Sequence, residues 1–314
     1  MSEIAWPLLG HDLAEKQFLE AATSGHLHHG WLIEGPSGIG KSILAKRMAA
    51  YILGAQMHDA GRLDSKETDP IVQKLKAGSH PDLKWLSRKP DEKGKVKQDI
   101  PVDEIRSLNQ FFSLKSALDG WRVGVIDSLD ELNRNGANAL LKTLEEPPKN
   151  SLLILVSHGT RAILPTIKSR CRTLRMSTLN DDDTHAALKL AKAEDPRSAA
   201  KLARGRPGLG LSLSTVSGMS ASSAVRSYLR ALPKPSDSLL AQVIRSAGVD
   251  ATSFDAFTGE ILDWLAVEAS GSPSFAKTWL SMSRLISEQR AFNMDRTQSA
   301  ATITACLQRA ALER

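Results

Sequence analysis

Eight residues, Gly35-Pro36-Ser37-Gly38-Ile39-Gly40-Lys41-Ser42, stand in the spacing G-x-x-x-x-G-K-S with which a chain wraps phosphate. In such a run successive backbone N–H groups turn inward on an anion. The lysine ammonium reaches the β- and γ-phosphates, and the serine hydroxyl is available to Mg²⁺. Trp31-Leu32-Ile33 precedes the run as a short apolar segment, and Leu44, Met48 and Ile52 follow on one helical face. The order strand, loop, helix points the positive end of a helix at the phosphate. Gly35 to Ser42 is therefore the expected cradle, with Lys41 as the phosphate ligand.

A phosphate loop of this kind needs a carboxylate on a neighbouring strand to hold the metal. Arg122-Val123-Gly124-Val125-Ile126-Asp127 is an apolar run ending in one, so Ser42 and Asp127 are the expected Mg²⁺ ligands. The competing reading makes Asp127 a cap for a helix beginning near Leu129. Hydrolysis also needs a base to orient water, and in many such ATPases a glutamate directly follows the metal aspartate. Here Ser128 follows, and a serine does not take up a proton as a carboxylate does. Slow or absent turnover is expected. A third segment, Ile163 to Cys171, ends in Ser169-Arg170-Cys171. An arginine supplied across an interface can stabilise a transferring phosphoryl group; on composition alone Arg170 reads rather as a surface residue and Cys171 as a small buried hydrophobe.

These groups need a scaffold. Helical spacing over 12–24, 41–53, 103–113 and 129–145 alternates with apolar runs at 31–33, 121–126 and 152–156. Leu152-Leu153-Ile154-Leu155-Val156 is apolar on both faces, as a buried parallel strand is. The alternation predicts an α/β unit with a parallel sheet over residues 1–177. A polar, Lys-rich insertion at 54–100 is expected as loop and short helix. Residues 178–213 read as a short helical segment, with Asp181, Asp182 and Asp183 at a helix N-terminus and a break at Gly205-Arg206-Pro207-Gly208. Residues 214–314 are helical by spacing, with Phe254, Phe257, Ile261 and Leu265 on one face and Ala300, Ile303 and Leu307 on another.

The net charge of +6 is unevenly spread. Arg161, Lys168, Arg170, Arg172 and Arg175 occur without an acid between them. Lys84, Arg88, Lys89, Lys93, Lys95 and Lys97 stand against only Asp91 and Glu92. The first run is a candidate phosphate-facing surface; the second reads as a solvated loop. No apolar run approaches the roughly 18 residues of a membrane span, and Met1-Ser2-Glu3-Ile4-Ala5-Trp6-Pro7 lacks the order of a secretory signal. Two distant cysteines, Cys171 and Cys306, make neither a disulfide framework nor a zinc site. The expectation is a reduced, cytoplasmic protein without a membrane partner.

The string Asn138-Ala139-Leu140-Leu141-Lys142-Thr143-Leu144-Glu145-Glu146-Pro147-Pro148, followed by Ser169-Arg170-Cys171, resembles the AAA+ subunits of the bacterial DNA polymerase III clamp loader. Gly78-Ser79-His80-Pro81-Asp82 and Ile100-Pro101-Val102-Asp103-Glu104-Ile105-Arg106 fit in the same order, as do the phosphate loop and the strand ending at Asp127. The resemblance covers residues 1–213, and the remainder fits in length and class only. Within the family the chain is most similar to the delta-prime type. The motor subunits, tau and gamma, carry a four-cysteine zinc module, whereas residues 54–120 hold no cysteine. They carry a glutamate where Ser128 stands, and a lid arginine where Gly208 aligns, with Arg206 two residues away.

The resemblance implies an AAA+ P-loop domain at 1–177, a small helical lid domain at 178–213 and an all-helical collar domain at 214–314. It implies ATP with Mg²⁺ as the cofactor, weak or absent hydrolysis by this chain, and no zinc. The implied role is that of a stator in a hetero-pentamer with tau or gamma and delta, helping to place a sliding clamp on primed DNA. Arg170 would then act in trans on a neighbour's ATP. Two rival readings stand beside it. One is an active motor-type ATPase, for which Lys41, Ser42 and Asp127 argue. The other is a direct DNA-binding protein using the two basic runs.

Overall fold

Five segments pair side by side as one parallel sheet in the computed structural model, which describes residues 4–59, 61–88, 99–159, 161–269, 272–292 and 294–313. The strands are β1 (Gly30–Glu34), β2 (Leu83–Leu86), β3 (Arg122–Asp127), β4 (Ser151–Ser157) and β5 (Arg172–Arg175), in the order β2-β3-β4-β1-β5. Trp31 is in register with Ile154 on one side and with Arg172 on the other. Asp127 is in register with Val156. β4 therefore lies between β3 and β1, and every one of its residues is buried.

Helices cover both faces. On one, α1 (Asp12–Thr23) and α2 (Lys41–Ile52) bring Phe18, Leu44 and Met48 onto Trp31, Ile33, Val123, Val125, Ile154 and Val156. The short α3 (Pro70–Lys76), capped by the Asp69 carboxylate on Ile71 N and Val72 N, follows α2 in the chain. On the other face α4 (Val102–Ser113), α5 (Arg134–Glu145) and α6 (Pro165–Lys168) bring Ile105, Leu108, Leu140, Leu144 and Ile167 onto Leu32, Ile126, Leu153 and Leu155. Each fully buried aliphatic side chain contributes about 1.5–3 kcal/mol.

Three features differ from the spacing alone. The insertion at 54–100 supplies its short helix, α3, and also β2, an edge strand of four residues with Lys84 in it. That is too short to show alternation. β5 falls inside the basic run, where arginines flank Thr173 and Leu174. The helix expected over 129–145 is two pieces. A 3₁₀ turn at Leu129–Glu131 ends at Leu132, and α5 begins anew because the Asn133 side chain accepts from Gly136 N at 2.8 Å.

The chain forms two compact units, Met1–Lys192 with Arg204–Gly208, and Ala193–Ala203 with Leu209–Arg314. The first holds the sheet and α7 (Asp181–Leu190), whose Asn180 cap accepts from Asp183 N. The second is helical: α8 (Pro196–Ala203), α9 (Pro207–Leu213) from Leu209 onward, α10 (Val216–Arg230), α11 (Asp237–Gly248), α12 (Ala251–Glu268), α13 (Pro273–Phe292) and α14 (Arg296–Leu312). Its core gathers Val225, Phe254, Phe257, Ile261, Leu265, Ile303 and Leu307, and the buried Tyr228 hydroxyl donates to Thr304 O. Among the described residues no helix is long and apolar enough to cross a membrane.

Candidate functional site

The segment Gly35–Ser42 leaves the C-terminal end of β1 and enters α2, at the sheet edge where open α/β folds bind ligands. Gly40 caps α2 with φ of +106°, and a Cβ there would stand 2.7 Å from Leu8 Cδ1. This bend needs glycine. The His11 ring, buried before α1, donates from Nε2 to Ile39 O at 2.9 Å and braces the loop from beneath. Burial lowers the His11 pKa below its ordinary value, which keeps the ring neutral in this role.

Lys41 is 2% exposed. Its Nζ donates to Gly35 O at 2.6 Å and to Pro36 O. Burial pushes its pKa down to about 8, against the opposing fields of Asp130 and Asp127. The Ser42 hydroxyl donates to Asp127 Oδ2 at 2.7 Å. The 3₁₀ turn after Ser128 has no side-chain cap, so Asp127 faces the loop rather than capping a helix. Two hard oxygens side by side, next to a phosphate cradle, fit Mg²⁺, which takes few protein ligands and completes its shell with water and phosphate oxygens.

The other acids nearby are committed. Asp130 accepts from Ser128 Oγ, His158 N, Ser157 Oγ and Arg161 N. Burial alone would raise its pKa; these hydrogen bonds outweigh it and hold the carboxyl below its ordinary range. Glu131 pairs with Arg88 at 2.7 Å, and burial raises its pKa against that partner. Neither carboxylate is free to orient a water. His158, directly after β4, sits in the crevice between the ends of β3 and β1. Its pKa is lowered by burial and then by Lys41, with Asp127 and Asp130 opposing. Its Nδ1 is buried and has no hydrogen-bond partner among the described residues.

Gly208 lies against the loop. Its N–H donates to Gly38 O at 2.8 Å, and a Cβ on it would stand 2.9 Å from Gly38 Cα. No side chain fits between the two backbones, so this close approach depends on glycine at 208.

Arg170 is at the opposite end of the sheet. It follows α6 and precedes Arg172, which is in register with Trp31 near the start of β1. The four residues from Trp31 to Gly35 span about 13 Å at the rise of a strand, and Arg170 lies beyond that level. Its Nη2 is 3.0 Å from Glu145 Oε1, and its Nη1 donates to Thr166 O at 2.9 Å. The rest of the basic run is also engaged. Arg161 pairs with Asp99 and Lys168 with Glu34, Arg172 lies over the Trp31 ring, and Arg175 is 3.9 Å from Glu34. In the other run Lys84 donates to Ser107 and Arg88 pairs with Glu131. Lys89, Asp91, Glu92, Lys93, Lys95 and Lys97 lie outside the described residues. Cys171 is half-buried, and burial pushes its thiol up to about 12.

A family model described as DNA polymerase III, delta subunit, matches residues 10–180, more than half of the chain. The chain belongs to this family. It is similar to the DNA polymerase III delta-prime subunit of Pseudomonas aeruginosa, at 41% identity over 143 residues, 46% of this chain and 41% of that protein. It is similar also to the delta-prime subunit of Haemophilus influenzae, at 32% identity over 200 residues, 62% of this chain and 58% of that protein. The matches therefore span less than two thirds of either relative's length. Among solved structures, a DNA polymerase III gamma subunit-related protein from Thermotoga maritima shares the fold with a TM-score of 0.51, over 95% of this chain and 99% of that one, at 18% identity. The fold is thus α/β, shared with that protein, and the chain is a delta-prime-like DNA polymerase III subunit related to gamma and tau.

In this delta-prime-like subunit the residues singled out by spacing fall into two places. Gly35, Pro36, Ser37, Gly38, Ile39, Gly40, Lys41, Ser42 and Asp127 gather at the C-terminal end of the sheet, and Arg170 stands apart at the other. Spacing missed His158 and the Asp130 network. The polar pair Ser157-His158, ending an otherwise apolar strand, was the available signal.

Proposed function

We propose that this chain is the stator of a clamp loader. In this reading it joins tau or gamma and delta in a hetero-pentamer that helps place a sliding clamp on primed DNA. Its own loop holds ATP with Mg²⁺ weakly, and it lends Arg170 to a neighbour. With nucleotide bound, Gly35–Ser42 would cradle the phosphates, Lys41 would leave the carbonyls of Gly35 and Pro36 for them, and Ser42 and Asp127 would hold Mg²⁺. A metal held there would supply charge neutralisation for the phosphates. Ser128 offers no base, and Asp130 and Glu131 are spent on other partners, which supports weak or absent turnover in this chain.

The observation that carries the reading is the separation of Arg170 from its own loop. Arg170 lies more than about 13 Å of strand away from Gly35, beyond the reach of an arginine side chain, so a phosphate it meets belongs to another molecule. Arg170→Ala in the reconstituted loader should leave assembly intact and lower clamp- and DNA-stimulated ATP hydrolysis. Where such arginines act, the affected site slows by roughly 10³–10⁵. Unchanged hydrolysis would refute the role.

One rival has a specific observation behind it. The Ser42–Asp127 contact at 2.7 Å is a metal-ready pair, which favours an active ATPase; turnover by the isolated chain separates the two readings. Direct DNA binding has less support, because Arg161, Lys168 and Arg170 each have an acidic partner within 3.2 Å.

A further inference from the structure

Glu145 belongs to the long string that marks the family, yet the nucleotide loop makes no use of it. It is the last residue of α5, and Pro147-Pro148 prevent the helix from continuing. A carboxylate at a helix C-terminus faces the negative end of the helix dipole, where a cation is the favourable choice. Its placement there is offset by Arg170, whose Nη2 meets Glu145 Oε1 at 3.0 Å.

The same guanidinium is held from a second side. Nη1 donates to Thr166 O at 2.9 Å and reaches Ser169 Oγ at 3.5 Å. The backbone turn beneath is closed by Arg170 N to Ile167 O at 3.1 Å and Cys171 N to Lys168 O at 3.3 Å. A guanidinium carries five N–H donors, so these contacts leave donors over for an incoming phosphate. Neighbouring basic groups take other partners: Lys168 goes to Glu34, Arg161 to Asp99, and Arg172 to the Trp31 ring. Arg170 is thus fixed at both ends of its fork while 36% of its side chain stays exposed.

We propose that Glu145 positions Arg170, holding the guanidinium ready for a neighbouring subunit's nucleotide. This rests on the trans role of Arg170 proposed above. A free arginine must lose its rotamer freedom each time it engages a phosphate; one already clamped between Glu145 and Thr166 O has lost most of it beforehand. Glu145 is a positioning residue, and its effect passes through Arg170 alone. A half-exposed ion pair is a weak restraint, so its loss should slow the stimulated reaction by about two- to fivefold.

The test uses the complete loader with clamp and primed DNA, reading kcat and KM for ATP with wild-type, Arg170→Ala, Glu145→Ala, Glu145→Gln and the Arg170→Ala/Glu145→Ala double variant. Glu145→Ala should lower kcat about two- to fivefold without moving KM. Glu145→Gln, which keeps an acceptor oxygen, should recover part of the loss, and it replaces Glu145→Ala should that chain fail to enter the complex. In the Arg170→Ala background, removing Glu145 should have no further effect, as coupled residues require. The inference is overturned where Arg170→Ala slows the loader but the Glu145 variants do not, or where their loss adds in full to that of Arg170→Ala. If Arg170→Ala itself leaves the rate unchanged, the trans role fails and the positioning role with it.

Discussion

Lys41 offers a pH measurement whose size follows from the structure. Its ammonium is 2% exposed and its pKa is pushed down from 10.5 to about 8. That depression corresponds to about 3 kcal/mol of preference for the neutral amine. Below pH 8 both the folded and the unfolded chain carry the proton, and the full penalty weighs on the folded state. Between pH 8 and 10.5 the unfolded chain binds more protons than the folded one, so stability rises with pH across this window. Urea unfolding of wild type and Lys41→Met at a series of pH values isolates the effect, because titrating groups that do not feel Lys41 cancel in the difference. The wild type should gain about 2 kcal/mol on the variant between pH 7.5 and 9.5. Loss of the hydrogen bonds to Gly35 O and Pro36 O offsets the absolute difference at pH 7, so the slope is the readout. A difference flat to within about 0.5 kcal/mol would mean that the ammonium is not desolvated in the folded chain. Function follows the same linkage. Bound phosphate favours the charged amine, so nucleotide affinity should weaken as pH climbs past 8.

Two further outcomes follow from packing and burial. Gly208→Ala drives a methyl group into the Gly38 backbone at 2.9 Å and should cost about 1–3 kcal/mol, seen as a lower urea midpoint; an unchanged midpoint would count against the contact. With its thiol pushed up to about 12, Cys171 should resist alkylation at pH 8 in the native chain and react only after unfolding, so rapid native modification of Cys171 would contradict its burial.

Much of the scaffold was readable because its signals are local. The phosphate loop is a contiguous spacing, β4 is a continuous apolar run, and β3 ends visibly in Asp127. What escaped depends on contacts between distant residues. β2 and β5 are strands because they pair with β3 and β1, and nothing within four residues such as Arg172–Arg175 announces that. The break before α5 depends on whether one side chain, Asn133, bonds its own backbone. The commitment of Asp130 to Ser157, His158 and Arg161 joins segments about thirty positions apart. The pairing of Glu145 with Arg170 likewise needs the turn after α6 folded back onto the end of α5.

We propose that this chain's loop holds nucleotide without burning it, while its arginine serves another site. The most direct test is steady-state ATP hydrolysis by the isolated, purified chain with saturating Mg²⁺ and ATP, beside Lys41→Ala. The expected result is turnover no higher than that of the Lys41→Ala chain. Robust turnover that Lys41→Ala abolishes would contradict the stator reading and establish the chain as an ATPase in its own right.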